Sequence, residues 1–227
     1  MTPETLTRLR MAQSAGRPVA LLTRLTDGAQ SIFPDDVVAP ELAVAADGAL
    51  RDDRAQNLSL EGADWFIQPQ NPALRLIVVG AVHVAQSLAP IAAAAGFAVT
   101  IVDPRRAFAT ADRFPGDVAM THDWPDDAME ALAPDTRTAI VTLTHDPKLD
   151  DPALDRALAS QAFYIGALGS RRTHAKRLDR LAELGHGPDA VSRIHAPVGL
   201  DIGAVTAPEI ALSIIAQIVA VRRGKAA

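Results

Sequence analysis

The sequence predicts an α/β protein with a doubly wound, mostly parallel Rossmann-like sheet and a small β-rich N-terminal region. The first observation is a strand–turn–helix–strand unit of about 30 residues, the size of one βαβ crossover. Its apolar runs cover residues 76–79 and 98–102, and they end at Gly80 and Asp103. Neither run alternates apolar and polar residues, as expected for strands covered on both faces. Strand-like and helical segments then alternate to the C-terminus, which favours a parallel sheet with right-handed crossovers.

Composition narrows the class of protein. The 227 residues suffice for one large domain, or for one domain and a smaller one. A net charge of −5 without a basic tail argues against nucleic-acid and anionic-membrane partners. The absence of cysteine excludes disulfides, thiolate metal sites and a cysteine nucleophile within this chain. The sequence shows no signal-peptide pattern and no apolar run of about 18 residues, so we predict a soluble cytoplasmic protein.

The chain divides into an N-terminal region, residues 1–70, and a Rossmann-like domain, residues 71–227. Asp27-Gly28 indicates a hairpin turn, and a second Asp-Gly pair, Asp47-Gly48, suggests another turn. Pro69 and Pro72 are typical of a linker. The predicted elements of this region are a helix over 3–15 and strands over 19–25, 29–33 and 63–68.

The second region continues the strand and helix alternation. Thr206 and Glu209 have the spacing of a capping box at the start of the final helix. That helix is apolar enough either to lie in the core or to form the interface of a homodimer. Further strands are predicted over 117–121, 138–144 and 163–166, and helices over 126–133, 151–160, 170–184, 188–192 and 207–223.

Glycine and polar residues follow each predicted strand of this second region. In a doubly wound sheet, ligands bind beyond the carboxyl ends of the strands, so these residues are expected to share one edge. We assign no catalytic residue and no set of metal ligands. The predicted cofactor-binding residues are Gly80, Ala81, Val82, His83, Asp103, Arg105, His145, Asp146, Gly166, Gly169, Ser170, Arg171 and Arg172.

The strongest part of the predicted site is the segment GALGSRRTHAK, residues 166–176. Its two glycines permit a tight turn, and Ser170 can cap the helix that follows. The amides at the helix start and the basic side chains at positions 171, 172, 176 and 177 suit phosphate or a similar anion. A basic cluster at a helix start opposes the macrodipole. This favours an external anion over the alternative, a solvated basic helix face.

The turn after the first strand departs from the dinucleotide fingerprint G-x-G-x-x-G, because it reads GAVHVA. Val82 stands where the second glycine would let the backbone approach a pyrophosphate. Asp103 has the position of the acid that meets a ribose, whereas Arg105 could instead receive a phosphate. His145 and Asp146 could serve in acid–base chemistry, bind a metal, or form a polar strand end.

Four blocks, in order from near Trp65 to the C-terminus, resemble the xanthine dehydrogenase accessory protein (XdhC/CoxI) family. They read GAVHVAQSLAPIAAAAGFAVTIVDPR, TLTHDPKLDDPAL, YIGALGSRRTHAKR and APVGLDIGAVTAPEIALSIIAQIVAVRRG. The resemblance implies a C-terminal Rossmann domain and a role in maturing molybdenum hydroxylases such as xanthine dehydrogenase. It further implies binding of molybdenum cofactor (molybdopterin), its protection, its sulfuration through a partner cysteine desulfurase, and its delivery to the apoenzyme.

Two features depart from the family pattern. The family has Gly-Ala-Gly-His at the first turn, whereas this chain has Val82 at the second glycine. Longer relatives carry an N-terminal domain with a Gly-Gly-Cys segment, whereas this chain has no cysteine and cannot itself supply that thiol. The departures fit a divergent or truncated member with a different ligand, and equally a partner to a second subunit.

Our main hypothesis is a binding and delivery protein rather than a turnover enzyme. Its ligand is a pterin-type or nucleotide phosphate compound, held between the Gly80 turn and the turn of residues 166–172. The first alternative is an NAD(P)-dependent oxidoreductase, which Asp103 favours and Val82 opposes. The second alternative is a degenerate interaction protein that binds no ligand.

Overall fold

A computed structural model describes residues 1–114, 116 and 118–225. Its internal contacts divide the chain into two compact units, Met1–Pro72 and Ala73–Ala227. Within the described ranges, no helix combines the length and the apolar character needed to cross a membrane.

The first unit is an antiparallel sheet with a helix on each face. Its elements are α1 (Pro3–Ser14), β1 (Val19–Arg24), β2 (Gln30–Phe33), α2 (Pro40–Asp52), β3 (Gln56–Leu60) and β4 (Ala63–Gln70). The strand order is β2-β1-β4-β3, and the predicted Asp27-Gly28 hairpin between β1 and β2 is confirmed. Alternate residues of β1 enter two apolar clusters, one with α1 and the other with α2, as the two-residue period of a strand requires.

The second predicted Asp-Gly turn is wrong, because Asp47-Gly48 lies inside α2. Leu42, Ala46 and Ala49 have helical spacing, and all three are buried against the sheet. Burial of this apolar stripe outweighs the turn preference of an Asp-Gly pair.

The start of the linker also differs from the prediction. Pro69 lies in β4, opposite Ala20 of β1, rather than in a connecting segment. The sequence did not predict β3, whose residues read QNLSL and pair with β4 at the edge of the sheet. A polar edge strand carries little of the apolar pattern by which strands are recognised.

The second unit confirms the predicted fold class. Its elements are β5 (Leu74–Val79), α3 (His83–Ala94), β6 (Phe97–Val102), β7 (Ala119–Thr121), α4 (Pro125–Leu132), β8 (Thr138–Thr142), α5 (Pro147–Ala159), β9 (Tyr164–Ala167), α6 (Arg171–Glu183), α7 (Pro188–Val191), β10 (Ile194–His195) and α8 (Ala207–Arg222). The six parallel strands have the order β7-β6-β5-β8-β9-β10. With β5 numbered as the first strand, this is 3-2-1-4-5-6, the Rossmann order.

Several element boundaries differ from the predicted ones. Helix α5 begins at Pro147 instead of Asp151, because Asp146 caps it by accepting a hydrogen bond from the Lys148 amide at 3.0 Å. The two-residue strand β10 was not predicted. The predicted strand over 117–121 is observed as β7, and Asp117 lies outside the described residues.

Helices cover both faces of the parallel sheet. Helices α3 and α8 pack in one apolar cluster with β5, β6 and β8, and α4, α5 and α6 pack in a second cluster. Ala211, Ile214 and Ile218 of α8 are fully buried, so this helix belongs to the core. Leu212 and Val219 on its other side are exposed.

Candidate functional site

The carboxyl ends of β5, β8 and β9 meet at one edge of the parallel sheet, beside the point where the strand order reverses. Backbone hydrogen bonds continue past the strand ends. The Gly80 amide donates to the Val102 carbonyl at 2.9 Å, and the Leu168 amide donates to the Thr142 carbonyl at 2.9 Å. The segments that follow these strands therefore lie along one edge, where doubly wound folds bind ligands.

Gly80 is required by the close approach of β5 and β8. It adopts a φ of 111°, and a Cβ at this position would lie 2.6 Å from Cγ2 of Thr144. The next residue, Ala81, is buried, and its amide donates to the carboxylate of Asp103 at 2.8 Å. The first amide of the turn is therefore bonded within the protein and is not directed at a phosphate.

Val82 and His83 form the start of α3. Val82 is the N-cap residue, with φ of −87° and ψ of 178°, an extended backbone that does not require glycine. Its side chain packs against the apolar cluster that contains α3 and α8. His83 is exposed at the first helical position. The valine that replaces the second glycine thus has a packing role, and His83 is accessible to a ligand.

The buried carboxylate of Asp103 is saturated by hydrogen bonds. Oδ2 accepts from the Ala81 amide and from Nη2 of Arg105, each at 2.8 Å, and Oδ1 accepts from the Arg105 amide at 3.0 Å and from Nε at 2.9 Å. Burial alone would raise the pKa of Asp103, but these hydrogen bonds outweigh burial and hold the pKa below its usual value. Both oxygens are therefore engaged within the protein, without a ribose.

A second buried carboxylate, Asp150, organises the turn between β8 and α5. Oδ1 accepts from the Thr144 hydroxyl at 2.7 Å, and Oδ2 accepts from the His145 amide at 3.1 Å. These bonds hold His145 at a φ of 62°, which is uncommon for a residue with a side chain. Asp146 caps α5, so of the predicted pair His145 is the exposed member.

The segment of residues 166–172 separates into residues with different roles. Gly166 lies within β9, where a Cβ would lie 2.5 Å from Cγ2 of Val198. The predicted turn at Gly166 is therefore wrong, and tight packing explains the glycine. Gly169 has a φ of 142° and does form the turn. Ser170 caps α6 as predicted, because its Oγ accepts from the Thr173 amide at 3.1 Å.

Arg171 and Arg172 line two different cavities. Arg171 borders a cavity of about 350 Å³ together with the loop of residues 197–204. Arg172 borders a cavity of about 430 Å³ between α5 and α6, which we call the α5–α6 cavity. The α5–α6 cavity is lined by His145, Pro147, Asp150, Arg172, Thr173, Lys176, Arg177 and Arg180.

Positive charge dominates the α5–α6 cavity. Arg180 is paired with Asp151, through Nη2 and Oδ1 at 3.0 Å. Arg172 and Lys176 are exposed and form no ion pair with a described residue. This arrangement suits the anionic group of a ligand. Among the described residues, no group of three or more His, Cys, Asp or Glu side chains could hold a metal ion.

Arg177 is absent from the predicted binding set, although it was counted among the basic residues of its segment. Its side chain is buried; Nη2 donates to the Leu168 carbonyl at 3.0 Å and lies 3.6 Å from Oδ2 of Asp150. Burial lowers the pKa of Arg177 and raises the pKa of Asp150. The sequence signal was its helical spacing from Leu181, the other buried residue of α6.

The fold and the edge define a doubly wound α/β domain of the Rossmann type. The model of the family described as XdhC Rossmann domain matches residues 76–218. The chain belongs to this family, and the resemblance found in the sequence is confirmed.

Curated relatives cover much of the chain. It is 36% identical over 151 residues to a molybdenum cofactor insertion chaperone, PaoD, from Escherichia coli K12, which covers 66% of this chain and 41% of the relative. It is 35% identical over 160 residues to a probable xanthine dehydrogenase subunit from Bacillus subtilis 168, which covers 70% of this chain and 46% of the relative. The chain thus spans less than half the length of these two relatives.

The crystal structure of a xanthine dehydrogenase from Bacillus halodurans has the same fold. Its TM-score with this chain is 0.73 at 24% identity, and the match covers 98% of this chain and 65% of that one. At this identity the similarity supports the fold alone.

Proposed function

We propose that this chain binds molybdenum cofactor, or a related phosphate-bearing pterin, and delivers it to the apoenzyme of a molybdenum hydroxylase such as xanthine dehydrogenase. The observation that carries the proposal is the pair of exposed cations, Arg172 and Lys176, which line the α5–α6 cavity at the carboxyl edge of the parallel sheet and have no acidic partner among the described residues. The family and the relative named as a molybdenum cofactor insertion chaperone support the choice of cofactor.

The two ends of such a ligand need different surroundings. Its phosphate is an anion that needs cations and N–H donors, and its flat pterin needs a surface with a few polar groups. In the proposed arrangement, Arg172 and Lys176 receive the phosphate. The pterin lies along the edge by His145 and Gly169, where a Cβ on Gly169 would lie 3.7 Å from Nδ1 of His145.

The site is better suited to binding and release than to turnover. Exposed cations such as Arg172 and Lys176 hold an anion weakly, at roughly 1 kcal/mol or less for each pair, which favours handing a ligand on. The buried carboxylates of the described residues, Asp103, Asp150 and Asp151, already accept hydrogen bonds from protein donors.

The proposed partners follow from the same function. The client is the apoenzyme, and a cysteine desulfurase is the partner that supplies sulfur in the cytoplasm, because this chain has no cysteine to carry a persulfide. NAD(P) is the competing ligand. The Rossmann strand order favours it, but the engaged oxygens of Asp103 oppose it.

Anaerobic titration of the purified chain tests the proposal. We expect molybdenum cofactor to bind with a Kd of about 10 µM or tighter, and NAD(H) and NADP(H) to bind far more weakly. The loaded chain should then activate a cofactor-free molybdenum hydroxylase. The proposal fails if the cofactor does not bind at about 100 µM, or if only a dinucleotide stabilises the chain.

A matched pair of variants locates the site. Arg172→Gln removes a cation that lines the α5–α6 cavity, and Lys148→Gln removes an exposed cation of α5 that does not line it. We expect the first substitution to weaken cofactor binding and the second to leave it unchanged. Equal effects of the two would indicate non-specific attraction by surface charge and would contradict a site in this cavity.

A further inference from the structure

The α5–α6 cavity contains a buried arginine whose hydrogen-bonding groups are only partly used. Arg177 is 1% exposed. Nη2 donates to the Leu168 carbonyl, whereas Nε and Nη1 have no hydrogen-bond partner in the described part of the chain. Native proteins satisfy nearly all buried donors, because an unmade hydrogen bond to a charged group is costly. The two nitrogens therefore indicate an acceptor from outside the chain.

The nearest carboxylate does not fill this role. Oδ2 of Asp150 lies 3.6 Å from Nη2 of Arg177, beyond hydrogen-bonding distance, and on the side of the nitrogen that already has a partner. The oxygens of Asp150 accept instead from Thr144 and His145, so this acid is turned towards the β8–α5 turn. The buried guanidinium thus has an ion pair with Asp150, but no carboxylate of a described residue is hydrogen-bonded to it.

Two further cations lie at the same cavity on the exposed side. Arg172 and Lys176 are four residues apart on α6, so they are neighbours on its surface, and Arg177 lies beside them in the interior. A volume of about 430 Å³ accommodates a phosphate and part of the molecule that bears it. The described lining of this space therefore carries several cations and one acid, Asp150, and this excess of positive charge fits a doubly charged anion.

We propose that the α5–α6 cavity is a binding site for a phosphate monoester dianion, with Arg177 as its buried anchor and Arg172 and Lys176 at its mouth. A phosphate offers several strong acceptor oxygens, which satisfy Nε and Nη1 of Arg177. The inference deepens the proposed function and rests on it for the natural source of the phosphate. Binding of the phosphate group itself is tested separately.

Inorganic phosphate is the probe for the first experiment, with calorimetry for Kd and thermal unfolding for stability. At about one hundred times Kd, phosphate should raise Tm by roughly 5 °C relative to potassium chloride of equal ionic strength. Arg177→Met should abolish this gain, and Arg172→Gln/Lys176→Gln should raise Kd roughly tenfold or more. The control Lys148→Gln should leave Kd within about twofold, because an exposed charge outside the cavity contributes little.

The double variant keeps the test decisive if Arg177→Met does not fold, because both of its substitutions are at exposed positions. The inference is overturned if phosphate stabilises no more than chloride does, or if the double variant binds phosphate as tightly as the control does. It is also overturned if Arg177→Met folds and keeps the full phosphate effect, since Arg177 would then be only structural.

Competition distinguishes the sources of the phosphate. Displacement of inorganic phosphate by molybdenum cofactor supports both the site and the proposed function. Displacement by adenosine monophosphate but not by the cofactor supports the site and contradicts the proposed function. Cofactor binding that is unaffected by the double variant, together with no phosphate binding, contradicts the site and leaves the proposed function standing.

Discussion

The two halves of the carboxyl edge each contain a buried aspartate beside an arginine, but they use these residues differently. In the β5–β6 half, Asp103 and Arg105 are joined by two side-chain hydrogen bonds, and the Ala81 amide completes the carboxylate. In the β8–β9 half, Asp150 and Arg177 are 3.6 Å apart, and two guanidinium nitrogens have no partner among the described residues.

The difference separates a structural pair from a binding pair. A pair whose buried hydrogen-bonding groups are all used fixes its turn and offers no buried donor or acceptor to a ligand, whereas a pair with unused donors can bind a ligand. We call the β5–β6 half, which carries the glycine turn, the closed half, because its pair has no unused buried hydrogen-bonding group among the described residues. We call the β8–β9 half, which carries the basic helix α6, the open half, because Arg177 has unused donors. A Rossmann fingerprint would instead predict that the ligand binds at the glycine turn after β5.

The largest effect is expected where the two halves meet. Gly80→Ala combines backbone strain with a clash against Thr144, and it should lower the free energy of unfolding by about 4 kcal/mol. Gly96 is the matched control, because it has a φ of 90° but no heavy atom within 4 Å of a Cβ. Gly96→Ala should cost about 1 kcal/mol. Equal losses in urea unfolding would show that the contact between the halves contributes nothing measurable.

Removing one partner of the buried pair should lower the free energy of unfolding more in the closed half than in the open half. Asp103→Ala leaves the Ala81 amide and Arg105 without their acceptor, and it should destabilise by about 3 kcal/mol. Arg177→Met removes a desolvated cation, its bond to the Leu168 carbonyl and its ion pair with Asp150, and it should cost about 2 kcal/mol without ligand. Urea unfolding measures both, and the reverse order would contradict the distinction between the pairs.

The pH dependence of stability should differ between the two aspartates. The pKa of Asp103 is lowered, so its contribution is present above its ordinary value of 3.8 and is lost as the pH falls through the folded value. Burial raises the pKa of Asp150, so its contribution is present below 3.8 and is lost as the pH rises through the folded value. Asp150→Asn should therefore gain stability relative to the parent chain as the pH rises from 3.8 towards neutrality. If Asp150→Asn instead loses stability relative to the parent chain as the pH rises, the pKa of Asp150 is lowered by folding, as that of Asp103 is.

The smallest effect is expected from Val82→Gly. It removes a side chain that packs against an apolar cluster and should cost about 1 kcal/mol. Phosphate binding should not change, because Val82 does not line the α5–α6 cavity. Tighter binding of a phosphate ligand by this variant, measured by calorimetry, would mean that the valine side chain had closed the β5–α3 turn to ligand.

The sequence was sufficient for the features that depend on local pattern. The apolar runs predicted β5, β6 and β8, and Ser170 and the Asp27-Gly28 pair had the roles expected from their types. Helix α2 was missed because an Asp-Gly pair was given more weight than the helical spacing of its apolar residues.

The two buried aspartates of the site depend on sequence in different ways. Asp103 accepts from Arg105, which is only two residues away, and from the Ala81 amide, which the pairing of β5 with β6 brings alongside it. The 3.6 Å separation of Arg177 and Asp150 depends instead on the packing of α5 against α6, which no local pattern encodes. The basic run of α6 predicted an anion site, but the run alone could not distinguish buried Arg177 from exposed Arg172.

The most direct test of the central claim is amide chemical-shift mapping of the ¹⁵N-labelled chain during titration with molybdenum cofactor under anaerobic conditions. We predict that the largest changes fall on residues 145–150 and 169–180, in the open half. Changes centred on residues 80–83 and 103–105, with the β8–β9 half unaffected, would contradict the claim.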